Sequence, residues 1–241
     1  MKSGFIVSTA NKGGNMILDK NYKGLEFKNG RYFYDGNIET TENLEIKLDN
    51  LLEVAGYINA GGSINAGGSI NADGSIEASG YIEAGGSIKA SGSIEASGSI
   101  EASGYIEAGG SIIAGESIKA GESIIAGWSI KAGEYIEASE YIEAGESIKA
   151  GESYGISAAL YITAQDTISC GLKIFAGICT WKNTEDSDKT ITCSKLLSGT
   201  VEYGILKETG EAKKKITIDG KEIEISLESF DALKRSLEEG R

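Results

Sequence analysis

The chain of 241 residues has no proline, no histidine, only 3 cysteines, and aromatic side chains at just 7%. Each shortage excludes something. Proline is ordinarily about one residue in twenty. Its absence suits a chain built of strand ladders, because proline deletes a backbone donor from any strand it enters. Without histidine, neither Ser-His or Cys-His nucleophiles nor His-metal sites can be assembled from this chain. Three thiols are too few for a four-thiolate zinc site and an odd number for a disulfide framework. They point to a reducing compartment. No run approaches the ~20 apolar residues that span a bilayer, so no membrane partner is expected. The opening MKSGFIVSTANKGG lacks the short apolar core of a secretory signal, and a cytoplasmic location is expected. Cations are scarce too: 23 Lys and Arg against 36 Asp and Glu give a net charge of −13, which argues against direct nucleic-acid binding.

What the chain has in abundance is glycine, 34 residues of it, and a repeat. From Ile58 to Ile148 an isoleucine falls at every sixth position, 16 times without a miss, and alanine follows two residues after each. Six matches neither the 3.6 period of a helix nor a hairpin spacing. Inside each hexad, Ile-x-Ala has period two, so a three-residue strand points Ile and Ala to one side and the middle residue to the other. The Gly-Gly, Ser-Gly or Gly-Glu pair that follows turns a corner. Three such strands close an 18-residue coil, and stacked coils set like residue on like at ~4.8 Å. The expected fold is all-β: a parallel β-solenoid of either hand. The frame reads backward through Leu52-x-Val54 and Ile46-x-Leu48. A dipeptide insertion near Tyr154-Gly155 shifts it, and it resumes at Ile156, Ile162, Ile168 and Ile174.

The ends read differently, giving three segments. Residues 1–45, with Phe5-Ile6-Val7, Met16-Ile17-Leu18 and Tyr32-Phe33-Tyr34 between turn signals, are expected to form a β-rich cap. Residues 46–205 form the solenoid, with Ile191-x-Cys193 and Val201-x-Tyr203 completing its last turn. Residues 206–241 form a small ββα module: strands around Asp219-Gly220, then a helix capped by Ser226 or Ser229. That module offers a route to homo-oligomerisation. Covered ends matter because an open solenoid end is a sheet edge that recruits other chains.

The G-x-I-x-A spelling of residues 46 to about 180 resembles the bactofilin-type, polymer-forming β-helix proteins. It is also similar to hexapeptide-rich proteins of bacteria and their phages. The resemblance implies a solenoid and, for bactofilins, a cytoskeletal scaffold polymerising end to end. This chain departs from them in carrying folded segments at both ends. The left-handed hexapeptide acyltransferases match less well, since they use a histidine base and a different spelling.

Charge is concentrated in the repeat: residues 46–180 hold 17 acidic and 6 basic side chains. The corner position two before each Ile is Gly from 56 to 110. It then becomes Glu116, Glu122, Trp128, Glu134, Glu140, Glu146 and Glu152. Reading every third hexad down one face, these glutamates should stand in columns. Like charges ~4.8 Å apart repel, so such columns have either a solubility role or a partner. Spread along a ~35 Å rod, eleven net negative charges come within a factor of two of the charge density of duplex DNA. Apolar residues are expected to face outward nearby: Ile113 with Trp128 on one face, Tyr105, Ile125 and Tyr141 on another, and Tyr135 as a further aromatic anchor.

Other chemistries find little support. GxxxxG recurs only because Gly does, and no Gly-Lys-Ser/Thr follows it. Cys170 and Cys193 occupy the inward Ala position, as core thiols do. No catalytic residue, metal site or cofactor is expected. The leading expectation is a non-enzymatic interaction protein, an acidic rod binding a basic protein surface. A phage or mobile element would use such a rod to inhibit a host nucleic-acid enzyme or defence nuclease by mimicking nucleic acid. The alternative is a bactofilin-like scaffold polymer.

Overall fold

The computed structural model describes residues 4–7, 14–210, 213–218, 221–226 and 229–230. Three-residue strands such as Ile58–Ala60, Ile64–Ala66 and Ile70–Ala72 follow one another around a coil, and each pairs in parallel with the strand one coil away. The result is an all-β parallel solenoid of about 10 coils with three strands per coil, the typical coil taking 18 residues. It has three faces. The first stacks Ile38, Ile58, Ile76 and onward to Ile168. The second stacks Leu44, Ile64, Ile82 and onward to Ile174. The third stacks Leu52, Ile70, Ile88 and onward to Ile191.

The period-two spelling explains the core. The Ile and Ala of the repeat point inward, and the inward Ile side chains from Ile58 to Ile174 are 0–1% exposed, while Ile113 and Ile125 take the outward middle position. Burying each such side chain contributes roughly 1.5–3 kcal/mol. The residue between them faces out, so each face is a file of single outward side chains, one per coil.

The solenoid begins earlier than the hexads. Gly4–Val7 pairs in parallel with Gly36–Thr40, and Asn15–Asp19 with Asn43–Lys47, so the segment expected as a cap is itself wound in register with the repeat. Its third side is a hairpin, Leu25–Lys28 antiparallel to Arg31–Tyr34. Asn29 and Gly30 turn it at φ 52° and 78°, the left-handed region that an Asn-Gly pair tolerates. Tyr22, Leu25 and Tyr32 pack on the core at this end. The backward frame needs correcting. Leu44, not Ile46, pairs with Ile64, and Ile46 pairs with Ala66. Leu44, Ile46 and Leu48 alternate and are all buried, so period two alone cannot choose between the frames. The ladder chooses Leu44-x-Ile46, and the coil containing Leu48 takes two extra residues at its corner.

Beyond the repeat, the dipeptide insertion behaves as expected: Ile136, Ile142 and Ile148 pair with Ile156, Ile162 and Ile168. Ile191 and Val201 stack on Ile162 and Ile174. An antiparallel hairpin, Lys213–Ile218 with Lys221–Ser226, follows. Of the expected C-terminal helix only Ser229 and Phe230 are described. The Ser226 hydroxyl accepts the Ser229 N–H at 3.2 Å, as an N-cap does. The remainder, like the Asp219-Gly220 turn, lies outside the described residues.

Candidate partner-binding faces

The corners come in two chemistries. In the earlier coils the serine before each Ile turns its hydroxyl upward. Ser63, Ser69 and Ser87 Oγ accept the backbone N–H of Tyr81, Ser87 and Tyr105 at 3.2, 3.0 and 3.2 Å. A Cβ at Gly80, Gly86 or Gly104 would stand 2.2 Å from those oxygens, so this serine orientation requires a glycine opposite it. From Glu116 onward the hydroxyl donates instead. Ser99, Ser117, Ser123 and Ser129 donate to Glu116, Glu134, Glu140 and Glu146 of the next coil at 3.0, 2.8, 2.9 and 3.0 Å. Ser117, Ser123 and Ser129 are buried. Four of the six corner glutamates thus satisfy a serine hydroxyl as well as carrying charge. Glu122 and Glu152 have Tyr105 and Tyr135 at the equivalent position, where the other four have serine.

These glutamates stand in files, but the files lie on three different edges of the rod. Backbone bonds of 3.1 Å link Glu134 to Glu116 on the edge between the first and second faces, with Glu152 at the next corner. Glu140 follows Glu122 at 3.1 Å on the second edge, and Glu146 follows Trp128 at 3.0 Å on the third. The apolar candidates divide likewise. Ile113 and Trp128 belong to the first face and its leading edge, Tyr135 to the second face, and Ile125 with Tyr141 to the third. Trp128 is 60% exposed. Tyr141 stacks on Tyr161, ring centroids 4.9 Å apart and 7° from parallel. The Tyr161 hydroxyl donates to Glu143 at 2.7 Å. Burial first, then this bond to a carboxylate, hold the Tyr161 phenol far above its ordinary value.

The concentration of unpaired charge lies one step outside the corners, in outward mid-strand positions that the corner pattern did not single out. On the second face Glu83 is stacked directly on Glu101. Neither forms an ion pair among the described residues, although Lys119, leaning toward Glu137, is stacked one coil above Glu101. With Tyr81, Ser99 and Glu116 they line a groove of about 220 Å³. Tyr81 is 44% exposed. Higher on the same face Lys119 comes within 3.9 Å of Glu137. Above them an apolar groove of about 330 Å³ is lined by Tyr135, Leu172 and Phe175. Tyr154 on the adjoining edge donates to Glu134 at 3.1 Å. The third face is largely neutralised at this height, because Lys89 pairs with Glu107 at 2.7 Å. The signal for Glu83 and Glu101 was present in the sequence at every third hexad, in the middle letter of Ile-x-Ala.

Cys170 and Cys193 are core thiols, as their inward position predicts. Cys193 is fully buried, and burial pushes its thiol up to about 11; burial also raises that of Cys170. Among the described residues, no group of three or more Cys, Asp or Glu side chains is placed to hold a metal ion, and no helix is long and apolar enough to cross a membrane. No protein-family model, no curated protein and no solved structure matches the chain.

Proposed function

We propose that the protein is a non-enzymatic interaction module whose second face, with the edge beside it, engages a basic protein surface. The observation that carries this reading is the set Glu83, Glu101 and Glu116: three carboxylates on successive coils that form no ion pair among the described residues, around a groove that also exposes Tyr81. Carboxylates stacked at ~4.8 Å repel one another, and a cationic partner removes that cost. Glu134 and Tyr135 extend the same strip toward the apolar groove, so charge and an apolar anchor fall in one line, as a rim and core do at an interface. The rigid ladder fixes the spacing before the partner arrives. Association would be fast and sensitive to salt. A groove that otherwise holds a nucleic-acid backbone presents the matching row of cations, which makes inhibition of a nucleic-acid enzyme the natural use of such a rod, in a phage or mobile element as elsewhere.

The test is a titration with a nona-arginine peptide. Substituting Glu83, Glu101 and Glu116 by Gln should weaken binding at least about tenfold. Substituting Asp73 by Asn and Glu143 and Glu146 by Gln removes the same charge from the third face and the edge beyond it, and should leave affinity within about twofold. Equal losses would mean that only net charge matters and would refute the site.

One observation favours a second reading, a scaffold that stacks end to end in the manner of bactofilins. Leu206 pairs with the core residue Ile191, yet it is exposed, as are Leu197, Tyr203 and Ile205 of the last coil. Electron microscopy separates the readings: filaments support the scaffold, discrete particles the module.

A further inference from the structure

The outward file of the first face has an order that neither the corners nor the second face share. Reading up successive coils, it runs Asn59, Glu77, Glu95, Ile113, Lys131, Lys149. Two carboxylates lie one and two coils below Ile113, and two ammonium groups lie one and two coils above it. Glu77, Glu95, Lys131 and Lys149 are all exposed, and none has an ion-pair partner among the described residues. Like charges are neighbours along this file twice over, Glu77 on Glu95 and Lys131 on Lys149. Within one chain that arrangement only repels.

From this order we infer that the first face is a self-complementary docking surface for a second, antiparallel copy of the chain. A two-fold axis along the strand direction at the height of Ile113 reverses the rod and turns the two first faces toward each other. Glu95 then meets Lys131 of the second copy, Glu77 meets its Lys149, and the reverse pairs form at the other end. The two Ile113 side chains meet at the centre. The match is in register by construction, because all five residues are spaced by one coil on both rods. This is the isologous arrangement that a two-fold dimer requires.

Two further features fit the same operation. A groove of about 340 Å³ runs along the acidic half, lined by Asn59, Glu77, Ser79, Glu95, Ser97 and Ile113. It gives the lysines of the second copy somewhere to reach. Trp128 stands exposed at the edge of this face, one coil above Ile113. The axis sets it against the edge one coil below Ile113 in the second copy, where the corner residue is Gly92 and no side chain obstructs the indole. The five coils span only ~19 Å, so the contact is small, and dimerisation belongs with weak, salt-sensitive association. The operation leaves the second face of both copies open, both on one side of the pair.

The test is sedimentation equilibrium of the full chain from 1 to 200 µM at 50 and 500 mM salt. Dimers at low salt that weaken at least about tenfold at high salt are expected. The variants E77K/E95K and K131E/K149E should each be monomeric alone, and they should form a heterodimer when mixed. Lysine already occupies the outward position at Lys89 and Lys119, so neither variant asks the fold for something new; circular dichroism checks this. An I113C variant should cross-link to itself under mild oxidation, which reads the register directly. A monomer throughout at 50 mM salt, or a dimer that survives both charge reversals, would overturn the inference. Neither variant touches Glu83, Glu101 or Glu116, so failure here leaves the oligoarginine result standing, and the reverse also holds.

Discussion

Coils 56–110 and coils 115–150 share one core and differ at their corners. In the first group glycine leaves room for a serine hydroxyl that accepts a backbone N–H from the next coil. In the second the serine turns inward and donates to a glutamate carboxylate. The same hydroxyl serves as acceptor in one region and donor in the other, and the residue across the corner decides which. A change from Gly to Glu that looks in sequence like added surface charge is therefore also a change in how a buried polar group is satisfied.

The comparison can be broken first at what the two regions share. Ile82→Ala and Ile118→Ala remove equivalent side chains from the second face, one in each region. Each should cost about 2–5 kcal/mol by denaturant unfolding. A clear difference between them would show that corner chemistry reaches the core. Next comes the feature that separates the regions. Glu134→Ala strands the buried Ser117 hydroxyl and should cost about 1–3 kcal/mol. Glu134→Gln keeps an acceptor and should cost less, and adding Ser117→Ala to Glu134→Ala should restore part of the loss. Glu122→Ala, with Tyr105 beneath it, should change stability by no more than about 0.5 kcal/mol. If both alanine variants behave alike, the serine–glutamate bond contributes nothing.

A third expectation concerns pH. The Cys193 thiol is raised from about 9 to about 11 by burial, with Glu208 adding to the shift. Its folded pKa exceeds the unfolded one, so its contribution to stability is complete below pH 9 and is lost as pH rises to 11. Thermal melts across that window should fall less steeply for Cys193→Ala, since alanine fills the equivalent position in most other coils; parallel profiles would contradict this. A small effect is also expected from converting one corner to the other type. In Gly104→Glu the added Cβ meets Ser87 Oγ, the mobile end of a side chain that can turn toward the new carboxylate. The cost should stay below about 1 kcal/mol, and a larger loss would show that the two chemistries do not interchange.

Much of this was legible in the residues. The unbroken isoleucine period fixes the coil, its three strands and which residue faces out. The early coils were not legible, because their strands are four or five residues long and recur at other spacings. Met16 pairs with Leu44, and Leu44 with Ile64, with no hexad to mark either step. The corner glutamates could be seen in the sequence but their serines could not, since a rotamer and a bond between coils leave no trace in composition. The files Glu83–Glu101 and Glu77-Glu95-Ile113-Lys131-Lys149 emerge only when the repeat is folded and read down one face. Corner letters change abruptly at 116 and draw the eye, whereas the middle letters vary throughout.

Carbodiimide labelling of carboxylates, read by mass spectrometry with and without bound nona-arginine, tests most directly the claim that the second face recognises cations. Protection concentrated at Glu83, Glu101 and Glu116, with Asp73 and Glu146 on the far edge labelled as before, is the expected result. Protection spread evenly over all edges of the rod would contradict it.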